Sequence, residues 1–417
     1  MTVGVLDRSG GRSAPAVERG HSSVPTKDLH VIFLDYFYAP YLRTPHELLA
    51  RYSTLKPIAI ALRNLGARVT LFQRFRESCN FNEDGIEFRF CMDRCDPKLR
   101  KWQVPLSLHS TVREICKPGS SRNGCSVVVH VHGMFHPVQM RFLRSALPSD
   151  CAIVAQHHAE RPWGTILRPV QRWGLRAVDG FFFAAQDLAV GWTERGLISG
   201  RQRVFEVMEG SNCFHHEERV AARSRTGMAG SPTVLWVGNL TANKDPLTVL
   251  AGFEEVVQQV PKARLYMAYR GTDLLDAVHS RIAGSPLLCK AVMLLGGVPH
   301  AQLEDIYNSA DYFVLGSHYE GSGFALAEAM ACGVVPVVTD ICSFRAMTDD
   351  GRIGGCWTAG ESRSLSSVFL EVLRKPVGAL ATQAIHFFDQ HLSYPAIARA
   401  AMDAYRELIF TRTGRAL

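Results

Sequence analysis

The chain has 417 residues, of which 47% are hydrophobic and 20% charged, with a formal net charge of +7. That length suits two domains rather than one core, and the balance excludes a disordered or fibrous chain. No apolar run is long enough to cross a bilayer, and the polar residues 1–27 carry no apolar leader. Those 27 residues, rich in Gly, Ser and Arg, read as a flexible tail. Short β-rich runs follow at 30–34, 68–72, 126–131, 151–155, 181–184 and 204–207, with helical segments between them, the pattern of a parallel sheet with crossover helices. Residues 47–65 read as a helix capped by Gly66 and kinked or split by Pro57. The Gly/Ser/Arg-rich residues 222–231 read as a connector. The alternation then restarts with strands at 233–237, 264–269, 291–295, 311–315 and 334–339 and helices at 302–308 and 324–331. Asp245-Pro246 is expected to cap the first helix of this half, Gly333 stops the helix at 324–331, and residues 364–410 read as helices. The fold class is α/β: two Rossmann-like, doubly wound parallel sheets facing a cleft, one over residues 28–210 and the other over 211–395. A last helix, about 396–413, is expected to pack back on the first domain. Such sheets bind ligands at the carboxyl ends of their strands.

Charge and cysteine usage narrow the setting. Residues 1–210 hold 28 Lys and Arg against 19 Asp and Glu, so the first half favours an anionic partner: an acceptor phosphate or an anionic membrane surface ahead of nucleic acid. Eleven cysteines without a Cys-x-x-Cys pair read as reduced thiols, hence a cytoplasmic protein, with peripheral contact at the inner membrane face as the expected membrane association. Arg168, Arg172 and Arg176 share a helical face near Trp163 and Trp173, which suits a membrane or acceptor phosphate, or a plainly solvated face.

The most informative stretch is residues 311–340: a strand, the small-residue turn Glu320-Gly321-Ser322-Gly323, a helix and a second strand. Glycines allow close backbone approach to a ligand, and the helix start offers free N–H groups to an anion. Glu328 is the sole charged side chain between Glu320 and Asp340, so it requires polar partners, which a ribose diol would supply. Glu320 could accept hydrogen bonds from sugar hydroxyls. Lys244, in Asn243-Lys244-Asp245-Pro246, sits just before a helix N-terminus, where a cation stabilises a departing diphosphate, unless it is an ordinary solvated lysine.

These residues carry a resemblance. The stretch from Glu320 through Phe324 and Glu328 to Gly333 resembles the E-x7-E signature of retaining glycosyltransferases of family 4, which have the GT-B architecture. Gly238-Asn239-Leu240 through Lys244 and Gly296-Gly297-Val298-Pro299 resemble that family's diphosphate and nucleobase loops. The resemblance implies that Glu320 holds the donor sugar, Glu328 the ribose and Lys244 the diphosphate, with backbone N–H groups from Gly321, Ser322, Gly323 and Phe324 and a base contact at Val298. His158, in Gln156-His157-His158-Ala159-Glu160, resembles the family's histidine that reaches the reaction centre, orienting and polarising there. Asn239 stands where the family usually has arginine, and the glycine-rich loop after the first strand is not evident in Asp35-Tyr36-Phe37-Tyr38-Ala39-Pro40. Arg270, at the end of the neighbouring strand, is the expected replacement cation.

His132 and Arg161 are candidates on the acceptor side, while His130 reads as structural. The His130-Val131-His132 spacing suggests a metal, but no further ligand cluster supports one, and no Asp-x-Asp motif is present. No metal or other cofactor is therefore expected. The expected partners are a UDP-, GDP- or ADP-sugar and a glycan or lipid-linked acceptor. Two competing functions stay open: another enzyme on this fold, such as a sugar-nucleotide epimerase or a phosphorylase, and a non-catalytic nucleotide-sugar-binding protein.

Overall fold

The computed structural model describes residues 29–38, 40–51, 54–93, 99–100, 102–117 and 125–414. The expected tail, 1–27, lies outside them. The first sheet has eight strands: β1 (Leu29–Asp35), β2 (Arg68–Arg74), β3 (Cys79–Glu83), β4 (Ile86–Cys91), β5 (Ser126–His132), β6 (Ala152–Gln156), β7 (Gly180–Phe183) and β8 (Arg203–Glu206). Their order is β3-β4-β2-β1-β5-β6-β7-β8. The central strands β1, β5 and β6 are buried almost from end to end, as expected for a parallel sheet covered on both faces. The hairpin β3–β4 is the one antiparallel pair described, and it was not among the strands expected from the sequence pattern. Glu83 pairs with Ile86 across the two-residue turn Asp84-Gly85, both residues having positive φ.

The second sheet has six parallel strands: β9 (Thr233–Gly238), β10 (Arg264–Tyr269), β11 (Val292–Gly296), β12 (Tyr312–Leu315), β13 (Val335–Thr339) and β14 (Gly355–Trp357). Their order is β11-β10-β9-β12-β13-β14. Strand order reverses between β1 and β5 in the first sheet and between β9 and β12 in the second. Ligands bind at such switch points, outside the carboxyl ends of the strands. In this chain those ends carry Asp35 and His132, which are register partners, and the loops that lead to Lys244 and Glu320.

One expectation is refined and one corrected. Residues 47–65, expected as a helix kinked or split by Pro57, are split into Pro45–Arg51 and Leu55–Asn64, the second starting ahead of Pro57. Pro57 lies inside the first turn of the second, where its missing N–H would have had no intrahelical partner. The expected connector at 222–231 is helical in its first half: Arg219–Thr226 forms a helix closed by left-handed Gly227. It is pinned to the second sheet by Arg223, which donates to Asp311 at 2.8 Å.

The last helix, Tyr394–Thr413, begins with Ser393 accepting from the Ala396 amide and lies against the first sheet. Tyr405 meets His130 (Oη to Nδ1 2.7 Å) and stacks with Phe182, while Arg203 pairs with Glu407. The two domains are therefore joined both by the chain between β8 and β9 and by this returning helix.

Candidate active site

The half of the site on the second domain, the donor side of the expectation, is built at the carboxyl ends of β9, β10 and β12. A cavity of about 390 Å³ is lined by Gly238, Asn239, Lys244, Tyr269, Arg270, Val298, Leu303, Glu320, Phe324 and Glu328, among others. Asp245 caps the helix Pro246–Gln259 from a left-handed conformation, accepting from the Thr248 amide, and this fixes the preceding Lys244 at the cavity. The Lys244 ammonium pairs with the Glu320 carboxylate. The side chains are 21% and 14% exposed, so neither group is free of its partner without a large desolvation cost.

Glu328 projects from the helix Phe324–Ala331. The apolar surroundings that demanded polar partners have them within the protein: Tyr307 Oη donates to Glu328 at 2.8 Å, and His300 Nε2 lies 3.4 Å from its other oxygen. The Glu328 hydrogen bond and charge lift His300 above the usual histidine range, against burial and the charge of Arg270. The turn before this helix is held open by geometry. Gly323 has a φ of 61°, and a Cβ on it would meet the Phe344 ring at 2.7 Å. Among the described residues, the amides of Gly321, Ser322 and Gly323 make no hydrogen bond to protein, which leaves them available to an anion.

The second half is a larger cavity, of about 830 Å³, that meets the donor cavity at Phe324 and Glu328. Its polar end is formed by Asp35, His132, His158, Glu160 and Glu209. His158 Nδ1 forms an ion pair with Glu209, and the other Glu209 oxygen takes the hydroxyl of Ser322. Glu160 accepts the backbone amides of His158 and Met134. Burial alone would lower the pKa of His158, yet Glu209, with Glu160 and Asp35, raises it. The same pairing outweighs burial at Glu209 and lowers its pKa. Burial pushes Asp35 up to about 6 and drives His132 well below the usual histidine value. His158 Nε2 and both ring nitrogens of His132 are buried and have no protein partner among the described residues. The cavity is also lined by the apolar side chains of Phe37, Leu55, Pro57, Phe135 and Phe214, and by Cys213.

The structure thus brings Glu320, Lys244, Glu328, Phe324, Asn239, Arg270 and Val298 to one cavity and His158 and His132 to the adjoining one. The structure adds detail at Asn239 and Ser322 and corrects Arg161. Asn239 Oδ1 is engaged with the Gly271 amide at 2.9 Å, so it braces the loop that carries Arg270. Ser322 directs its hydroxyl away to Glu209. Arg161 does not line the acceptor cavity: its guanidinium lies over the Tyr319 ring, 4.9 Å from the centroid, as a contact between the domains. His130 is structural, held by Tyr405, and burial takes it down to about 3. Sequence reasoning missed Glu209, His300 and Tyr307. A carboxylate just beyond the carboxyl end of β8 was the one available signal for Glu209.

Two facing Rossmann-like sheets, with cavities at their switch points meeting in the cleft, define the GT-B class of fold. Residues 221–385 match the family model described as "Glycosyl transferases group 1". Mannosylfructose-phosphate synthase of Agrobacterium fabrum is 38% identical over 128 residues, which cover 29% of this chain and 28% of that protein. Phosphatidyl-myo-inositol mannosyltransferase of Mycobacterium leprae is 28% identical over 289 residues, covering 66% of this chain and 70% of that one. Among solved structures, sucrose-phosphate synthase from Thermosynechococcus elongatus superposes with a TM-score of 0.65 at 17% identity, covering 92% of this chain and 100% of that chain. The likeness is thus strongest in sequence over the donor half and extends over both domains in fold.

Proposed function

We propose that this protein is a retaining glycosyltransferase that moves a sugar from a nucleoside diphosphate onto an acceptor hydroxyl. The observation that carries this reading is the junction of the two cavities. One holds Lys244, Arg270, Glu320, Glu328 and the turn that presents free amides; the other opens directly from it and presents His158 and His132. In the donor complex the nucleobase lies by Val298 and the ribose hydroxyls meet Glu328. The diphosphate is met by Lys244, Arg270 and the free amides, and Glu320 accepts from sugar hydroxyls. Breaking the bond between the anomeric carbon and the phosphate oxygen concentrates charge on the departing diphosphate, where these cations and amides stabilise it. The acceptor oxygen bonds to the anomeric carbon on the face the phosphate leaves, and the acceptor proton passes to the departing phosphate oxygen. His158 and Glu320 orient the sugar between them, and no resident metal is needed for charge balance.

The acceptor is a molecule with an apolar part, lipid-linked in our reading. Support comes from the apolar side chains lining the second cavity and from exposed Phe142, Leu167, Val170 and Trp173, beside Arg141 stacked on Trp173, on the first domain. The relative from Mycobacterium leprae carries a lipid acceptor in its name. Among the described residues no helix is long and apolar enough to cross a membrane, so contact with an anionic bilayer would be peripheral.

The test is incubation with UDP-, GDP- and ADP-sugars. Turnover is expected with one base, by transfer or by slow hydrolysis without acceptor, and the product anomer, read by NMR, is expected to match the donor. An inverted product would overturn retention. Tight binding of a sugar nucleotide without any turnover would favour a binding protein.

A further inference from the structure

We propose that Glu209 is a positioning residue that holds His158 as an imidazolium aimed into the cleft and that joins the two domains through the same carboxylate. The role assigned to His158 rests on the transferase reading above; the state of its ring does not.

Glu209 belongs to neither sheet. It lies in the chain between β8 and the helix Arg219–Thr226, where the first domain hands over to the second. One oxygen pairs with His158, from the loop after β6, and the other takes the Ser322 hydroxyl, from the turn after β12. Glu209 is 7% exposed and Ser322 2%. A carboxylate this buried is tolerated when its oxygens have partners, and each of its partners comes from a different domain. The arrangement ties the turn that holds the donor to the histidine that faces it.

The ring chemistry follows. With a carboxylate at Nδ1, that nitrogen carries a proton, and Nε2 is the atom left to face a ligand. The groups that face the ring are Glu209 from the linking segment, Glu160 from its own loop, Asp35 from the end of β1, His157, and His132 from the end of β5. Burial keeps His132 neutral, so the surrounding carboxylates are opposed at His158 by burial itself. Glu209 is the one in direct contact and the strongest of the charges that raise His158. An imidazolium at this point donates from Nε2 to a sugar oxygen and so fixes the sugar in the cleft. Without Glu209, burial prevails and the ring is neutral.

The experiment is the NMR titration of the His158 ring in the free protein, assigned against His158→Asn. Glu209→Gln is expected to lower its midpoint by at least one pH unit. Glu209→Asp keeps the charge but moves it back by one methylene, and is expected to lower the midpoint by less. Turnover supplies a second reading. Relative to the parent, Glu209→Gln loses more kcat at pH 8 than at pH 6, by up to about tenfold for a midpoint lower by one pH unit, with KM for the donor little changed. The factor arises because a midpoint lower by one pH unit leaves a tenfold smaller fraction of imidazolium on its alkaline side. An unchanged midpoint in Glu209→Gln overturns the proposal, as does an equal loss of kcat at both pH values. If the Gln variant does not fold, an unchanged midpoint in Glu209→Asp overturns it too. Should no donor be turned over, the transferase reading fails while the titration still decides the role of Glu209.

Discussion

The close approach of the domains at Gly321 permits a test that leaves every charged group in place. A Cβ built on Gly321 lies 2.9 Å from the backbone nitrogen of Ala159 and 2.9 Å from its Cβ. Gly321 is not in the left-handed region, so Gly321→Ala introduces no intrinsic backbone strain. All of its cost arises from the contact across the cleft. Carbon atoms rest about 3.5–4.0 Å apart, so the surfaces must separate by roughly 0.6–1 Å. Overpacking of this size costs about 1–3 kcal/mol when it must be absorbed within a core. Here a small opening of the cleft absorbs it, because the contact lies between domains. The folded state is therefore expected to lose little, with the melting temperature within about 2–4 °C of the parent, the change that ~1 kcal/mol causes in a domain of about 150–250 residues. Catalysis suffers instead, since a misplacement of about 1 Å between reacting groups costs on the order of 100-fold. Gly321→Ala should reduce kcat by about 10- to 100-fold while free nucleoside diphosphate, held within the second domain, binds as before. Calorimetric titration with UDP, GDP and ADP and steady-state kinetics at saturating donor measure the two quantities. Unaltered kcat, or a loss of activity matched by a loss of folded protein, would refute the reasoning.

Other outcomes follow from the same geometry. Lys244→Ala removes the cation paired with Glu320 and is expected to lower kcat by about 100- to 1,000-fold, the usual effect of losing one electrostatic contact to the transition state; near-parental turnover excludes that role. Glu328→Gln retains the Tyr307 contact in part but loses the charge, so donor KM should rise at least tenfold with the fold intact by circular dichroism. Arg270→Ala should weaken free nucleoside diphosphate, and Asn239→Arg added to it should restore part of the affinity; unchanged affinity in the single variant rejects Arg270 as a diphosphate contact. Activity is expected to persist in excess EDTA, and complete loss reversed by Mg²⁺ or Mn²⁺ would contradict the cation-only account of the diphosphate site. Vesicles containing an anionic phospholipid should carry the protein in flotation, and charge reversal at Arg168, Arg172 and Arg176 should release it; equal flotation of the variant rejects that face.

What can be read from sequence is local. The run from Glu320 to Gly333 places a turn, a helix and a carboxylate within fourteen consecutive residues, so its meaning survives without a three-dimensional frame. Asp245-Pro246 is legible for the same reason, since cap and helix start adjoin. The hairpin at Asp84-Gly85 is legible as well, since that dipeptide stands between the alternating runs Cys79-Asn80-Phe81-Asn82 and Ile86-Glu87-Phe88-Arg89-Phe90, yet the expected strands omit it. Residues whose role depends on distant partners are not legible. Glu209 meets Ser322 across 113 positions, and nothing in the residues around it foretells the contact. The partners of Glu328 are hidden similarly: its polar needs point to a ligand, whereas Tyr307, on the preceding helix and one strand earlier, supplies a hydroxyl from within. Asn239 can be seen to differ from an arginine, but its brace to Gly271 requires knowing that β9 and β10 lie side by side.

The two cavities divide the work by charge. The donor side brings together the cations Lys244 and Arg270 with backbone amides, a set suited to an anion that grows more negative as the bond breaks. The other side holds carboxylates and imidazoles: Asp35 pushed up to about 6, His132 kept neutral, and His158 raised by its acidic neighbours. Groups of this kind take and give hydrogen bonds to hydroxyls, and of them Asp35 and His158 change protonation nearest neutral pH. Turnover should accordingly follow the histidine and carboxylate side between about pH 6 and 8. Both cavities share Phe324 and Glu328, and the Glu209 carboxylate spans the boundary from His158 to Ser322. The Glu209 carboxylate is thus the point at which a single substitution reaches both cavities.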